Sequence, residues 1–285
     1  MKQRHIQHLY WRAGFGIGVK KIDQLKSKSK NEIIKDLFYD ASKVNLLQLD
    51  LSEFNLIKNK SPKVLKIEMG EEAYRKLRQK SQRKVRDLNY AWLERLTGPS
   101  SILREKMTLF WSNVFVCRDN HIFHIQHFNN TLRKNALGDF RVLVKTIAKE
   151  ASMSKYLNNR QNRKKSPNEN FARELMQLFS IGLWKMNQDG SMVKDSNGDP
   201  IASYTQDDVE ELAKVMTGYD IKGNSKYGKT SRANGEEWSS PMEFNSSHHE
   251  YASKTFLGST IGTEGSSNSE PSDLDQALDI IFQHQ

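Results

Sequence analysis

A chain of 285 residues that is 36% hydrophobic and 27% charged holds enough apolar side chain for a sizeable core, and this composition fits a soluble globular protein better than a disordered one. Its one cysteine, Cys117, excludes an intramolecular disulfide and a thiolate metal cluster, and no apolar run approaches the ~20 residues that span a bilayer. A formal net charge of +10 and a pI near 9.4 favour anionic partners: nucleic acid, phosphate or anionic lipid.

In chain order, MKQRHIQHLYWRAGFG is basic but has no continuous apolar stretch, so it does not read as a signal peptide and the chain as given reads as cytoplasmic. Ser29 with Glu32 makes a capping box before the helix NEIIKDLFYD. A long helix is expected from about 69 to 97, with an intermittent stripe of Ala73, Leu77, Leu88, Trp92 and Leu96, and Gly98-Pro99 stops it. Seven basic residues fall in its 74–86 segment, and four more in 159–165. Ser100 or Ser101 then starts ILREKMTLFWSNVFVC, where Leu103, Met107, Phe110, Trp111 and Val114 predict a buried apolar face.

Helices follow at about 121–136 and 140–156, divided by Gly138. SPNENFAREL opens another, about 167 to 180: Ser166 reads as the cap, Pro167 as the first helical residue, and Glu169 as the partner reaching back. Asp-Gly and Asn-Gly turns between short apolar stretches predict a β-hairpin insertion at about 183–204. Thr205 with Asp208 caps QDDVEELAKVMTG. Residues 220–271, rich in Gly, Ser and Asn, read as a long irregular segment with short strands at most, and Ser272 starts the last helix. That helix is still running at Gln285, which suggests a chain cut at its C-terminal end.

Several patterns could carry chemistry. DSNGDP (195–200) begins like a calcium loop, but Pro200 and Gln206 stand where the geometry needs Gly and Glu, so a hairpin turn is favoured. His121, His124 and His127 share a helical arc without the carboxylate that would make a zinc motif, and read as a solvated face. Cys117 reads as a small buried hydrophobe. The basic 74–86 stretch has Tyr74 but no helix-turn-helix, zinc or RNA-recognition signature, so a solvated helix face is favoured and phosphate attraction through it is the lesser reading. In SPNENFAREL the cap explains Ser166, Pro167 and Glu169 but not Asn168, Asn170, Arg173 and Glu174. These four are either weak surface pairs or the polar half of a site.

HLYWRAGFG (8–16), LREKMTLFWSNVF (103–115), LRKNALGDFRVLV (132–144), SPNENFARELMQLFSIGL (166–183), YTQDDVEELAKVMTGY (204–219) and HHEYASKTFLG (248–258) resemble, in this order, the bacterial family known as domain of unknown function 1800. The resemblance implies a largely α-helical protein longer than this chain, often exported. It also implies a neighbour of the family known as domain of unknown function 1501, whose members resemble sulfatases. It carries no established activity. The family pattern often has histidines where this chain has Ser112 and Val114, which lowers the expectation of a metal site.

The combined expectation is a mainly α, multi-helix single domain over 1–285 with no metal and no cofactor. Its function would be an enzyme-like polar pocket for a polar or anionic ligand. Glu169 and Glu174 are the acid/base candidates, His8 and His248 the proton shuttles, and Arg12, Asn113, Asn168, Asn170, Arg173 and Lys254 the ligand-binding candidates. The alternatives are a non-catalytic envelope scaffold paired with the sulfatase-like neighbour, and nonspecific nucleic-acid binding through 74–86.

Overall fold

The structure is a computed structural model that describes residues 1–58, 60, 62–119, 121–221, 241–262 and 272–284. It is mainly α: thirteen α-helices and two small antiparallel strand pairs among the described residues. Among the described residues, no helix is long and apolar enough to cross a membrane. The chain gathers into two compact units, the first holding Met1–Lys58 and Pro62–Asp139, the second most of the remainder from Phe140.

In the first unit, α1 (Gln3–Ala13), α2 (Val19–Leu25) and α3 (Lys30–Ser42) enclose a core of Ile6, Tyr10, Ile22, Leu25, Ile33 and Leu37. The Ser29–Glu32 capping box opens α3 as the sequence predicts. After α4 (Asn55–Lys58) and α5 (Pro62–Met69), the long α6 (Glu71–Thr97) packs on α7 (Ile102–Val114) and α8 (Ile122–Asn135). On α6 the buried residues are Tyr74, Ser81 and Leu88, while Ala73 of the expected stripe faces solvent.

The expected face of α7 needs a larger correction. Phe110 is exposed, Leu103, Met107, Trp111 and Val114 are half-buried, and the helix instead buries Ile102, Arg104, Glu105 and Thr108. The reason is a polar network that must be satisfied inside. Arg133 of α8, wholly shielded from solvent, donates from Nε to Glu105 Oε1 at 2.8 Å and from Nη2 to Oε2 at 3.0 Å. Its Nη1 reaches the Asn129 and Asn130 side-chain oxygens at 2.6 and 2.8 Å. Trp92 of α6 donates to Glu105 Oε2 at 2.9 Å, and Arg104 donates to the Ala41 and Arg133 carbonyls at 2.6 and 2.5 Å. A buried charge is tolerated only when paired and fully hydrogen-bonded, so this network dictates which face of α7 turns inward.

In the second unit, α9 (Phe140–Ala148) and α10 (Ala151–Tyr156) replace the single helix expected over 140–156. With α11 (Asn170–Gln177), α12 (Gln206–Val215) and α13 (Ser272–Gln283), they bury Leu143, Ile147, Phe171, Leu175, Leu212 and Leu278. The central α12 touches α11, α13 and strand β3, and opens with the Thr205–Asp208 capping box. The strands are β1 (Tyr219–Asp220) paired with β2 (Glu243–Phe244), and β3 (Lys254–Phe256) paired with β4 (Ser259–Ile261). Other parts of the irregular 220–271 segment lie outside the described residues.

The hairpin insertion is present as three short segments bridged at Trp184–Ala202, Met186–Met192 and Lys194–Pro200. Its two turns place Gly190 and Gly198 at φ 83 and 89, where other residues are strained. Asp195 spends its carboxylate on the amides of Asn197 and Asp199, both at 2.9 Å, so DSNGDP is a side-chain-capped turn.

Candidate functional site

Within the second unit a cavity of about 480 Å³ is lined by the run from Asn162 to Ser166, by Gly218, Tyr219 and Asp220, and by Ser247 and His248. Each wall is fixed by the packing behind it. Asn162 is buried, donates to the Ala213 carbonyl of α12 at 2.7 Å, and accepts from the Asn168 amide at 2.9 Å. Arg163 and Ser166 exchange both backbone hydrogen bonds, at 3.4 and 2.9 Å, which turns Arg163, Lys164 and Lys165 out as a basic rim. This turn also corrects the expected start of α11. Ser166 is engaged with Arg163, α11 begins at Asn170, and the Asn168 side chain accepts from the Asn170 amide at 3.2 Å.

The opposite wall depends on Gly218. Its φ is +85, and a Cβ there would lie 2.9 Å from the Asn245 carbonyl oxygen and 3.0 Å from His249 Cβ. Only glycine lets the chain after α12 pass this close to the 245–249 turn. The two adjacent histidines then diverge. His248 lines the cavity, whereas His249 is buried with Nδ1 donating to the Thr217 carbonyl at 2.7 Å and Nε2 at 3.0 Å from Asp273 Oδ2.

Lys254, fully buried, donates to the same Asp273 oxygen at 2.7 Å and to the Ala252 carbonyl at 3.1 Å. The hydrogen bond from His249, reinforced by Lys254, holds the Asp273 carboxyl down at about 2. Thr217 completes the clamp by accepting from the Glu250 amide at 2.8 Å.

The sequence candidates therefore fall in several places. His8, Arg12 and Asn113 belong to the first unit and are exposed, Asn113 donating to the Leu109 carbonyl of its own helix at 3.0 Å. Glu169 and Arg173 form an ion pair at 2.9 Å, with each side chain 37% exposed. Gln206 joins both, accepting from Arg173 at 2.7 Å and donating to Glu169 at 2.8 Å. Asn170 donates to the Leu157 carbonyl at 3.1 Å. Glu174 keeps one carboxylate oxygen buried without a hydrogen-bond partner among the described residues. None of these α11 residues lines the His248 cavity, and Lys254 acts behind its wall. Of the residues that hold the walls in place, Asn162, Thr217 and Asp273 are not singled out by the sequence reading. The signal available for Asn162 was the polar cluster NRQNRKK, and no local pattern marks Thr217 or Asp273.

Of the histidines at 121, 124 and 127, His124 is buried 2.8 Å from the Asp119 carboxylate and stacks on His121 at 3.9 Å, so that part of the arc is not solvated.

The model of the family described as Protein of unknown function (DUF1800) matches residues 8–285. The chain belongs to this family. No curated protein and no solved structure matches it. In this DUF1800 chain the residues that line the cavity include Arg163, Lys164, Lys165, His248 and Asp220, with Lys164 3.9 Å from the Glu250 carboxylate. Arg163 can take an oxyanion with two parallel N–H bonds, while lysines act as point charges. The imidazole of His248 can give or take a proton beside them.

Proposed function

We propose that this DUF1800 protein binds a small ligand carrying a phosphate or carboxylate group in the His248 cavity of its second unit. The observation that carries this reading is that Arg163, Lys164, Lys165 and His248 all line one cavity of about 480 Å³, a size suited to a small molecule. The His249–Asp273–Lys254 clamp supports it by fixing the segment that presents His248, since a site is only as ordered as the shell that holds it. His248 is the proton-transfer group in this reading, with Asp220 on the same wall.

Calorimetric titration with inorganic phosphate, pyrophosphate and citrate tests it. Saturable binding of at least one of them is expected, weakened about tenfold or more in Lys164→Ala/Lys165→Ala and in His248→Ala. Absence of binding by all three, or binding that both variants leave intact, would overturn the proposal.

A further inference from the structure

The first unit has an outward surface that the cavity reading leaves unused. Helix α1 buries Ile6, Tyr10 and Ala13, and its opposite side presents Arg4, His8 and Trp11, with Phe15 just past its end. Trp11 is 67% exposed and Phe15 43%, and the Trp11 indole lies over Gly16, whose Cβ would sit 3.4 Å from Nε1. From α7, Lys106 sets its ammonium 4.3 Å from the centre of the Phe15 ring, and Phe110, one turn further along α7, is 50% exposed. Val19, at the start of α2, also faces outward. Scattered exposed apolar side chains need no explanation, but aromatics brought out by adjoining elements of one unit do.

Charge identifies the occupant. Residues 1–30 contain eight Lys or Arg and a single acid, Asp23, which pairs with Lys26 at 2.7 Å. A second copy docking by the same surface would set this positive excess against itself. An anionic sheet of phosphates neutralises it and also offers the aromatics a shallow apolar layer. Exposed tryptophan among lysines and arginines, on a helix too polar to span, is the composition of a surface that lies in the headgroup zone.

We propose that this face docks the protein on an anionic phospholipid surface. Trp11, Phe15 and Val19 enter the boundary of the acyl chains, while Lys20, Lys21 and Lys106 meet the phosphates.

Co-sedimentation of the full chain with vesicles tests the assignment, using phosphatidylglycerol and phosphatidylcholine in equal parts against phosphatidylcholine alone. Sedimentation with the anionic vesicles only is expected. Trp11→Ser/Phe15→Ser should lower the partition about tenfold with an unchanged far-ultraviolet circular dichroism spectrum, and Lys20→Glu/Lys21→Glu should do the same at two fully surface positions. Arg75→Glu/Arg78→Glu on α6 should leave the partition nearly unchanged. No sedimentation with anionic vesicles would overturn the proposal. So would loss of binding in the α6 variant alone. Wild-type self-association that Trp11→Ser/Phe15→Ser dissolves would also overturn it, by assigning the face to a second copy.

Discussion

Glu105 and Arg133 meet where neither touches solvent, and removing one partner leaves a full charge stranded. Glu105→Ala is therefore expected to cost about 3–5 kcal/mol, readable as a lower urea midpoint. Asp273 gives a pH signature. Its carboxyl titrates near 2 in the folded chain against an ordinary value of 3.8. The folded state thus binds that proton less readily than the unfolded state does. The stability this provides is present above pH 4 and is lost as pH falls from about 4 toward 2. Urea midpoints measured across this range should fall more steeply for the wild type than for Asp273→Asn. Equal slopes would show that the His249 and Lys254 bonds do not set its titration. At this scale the sequence was only partly legible. The order His248-His249 does not say which imidazole turns inward; that is decided by Thr217, 31 residues before His248, and by Asp273, 24 residues after His249.

At the scale of elements, locally determined features were read correctly. The capping boxes at Ser29 and Thr205 and the glycine turns at 190 and 198 are written within a few residues, because the groups that satisfy each other are neighbours in the chain. Thr205→Ala should cost about 1 kcal/mol in thermal unfolding. The faces of α7 and the start of α11 were not legible. A helical period says which residues share a face but not which face is buried, and on α7 the decision belongs to Arg133 on another helix. Ser166 has the chemistry of a cap, yet its backbone is committed to Arg163. Gly218→Ala is the sharpest test of an element contact. A methyl group 2.9 Å from the Asn245 carbonyl, on a residue at φ +85, should cost about 1–3 kcal/mol and also weaken phosphate binding at His248. Unchanged phosphate affinity in a destabilised Gly218→Ala protein would separate the turn from the site.

For the whole molecule, mainly α architecture and family membership were both legible, since helical periodicity and ordered motifs extend along most of the chain. Two compact units, each with its own core, lead to a calorimetric expectation: two unfolding transitions rather than one. Glu105→Ala should lower one of them and Gly218→Ala the other, and a single transition shifted by both variants would show that the cores unfold together.

The insertion between α11 and α12 adds a slow chemical clock. Asn197 is exposed and followed by Gly198, so the next amide nitrogen has no side chain to hinder its attack on the Asn197 amide carbon. The Asp195 carbonyl holds that nitrogen at 3.1 Å in a hydrogen bond, which keeps the turn intact while the bond lasts. Loosening it exposes the protein to ageing by deamidation, in which ammonia leaves, water opens the ring that forms, and the turn gains a negative charge and an extra backbone methylene.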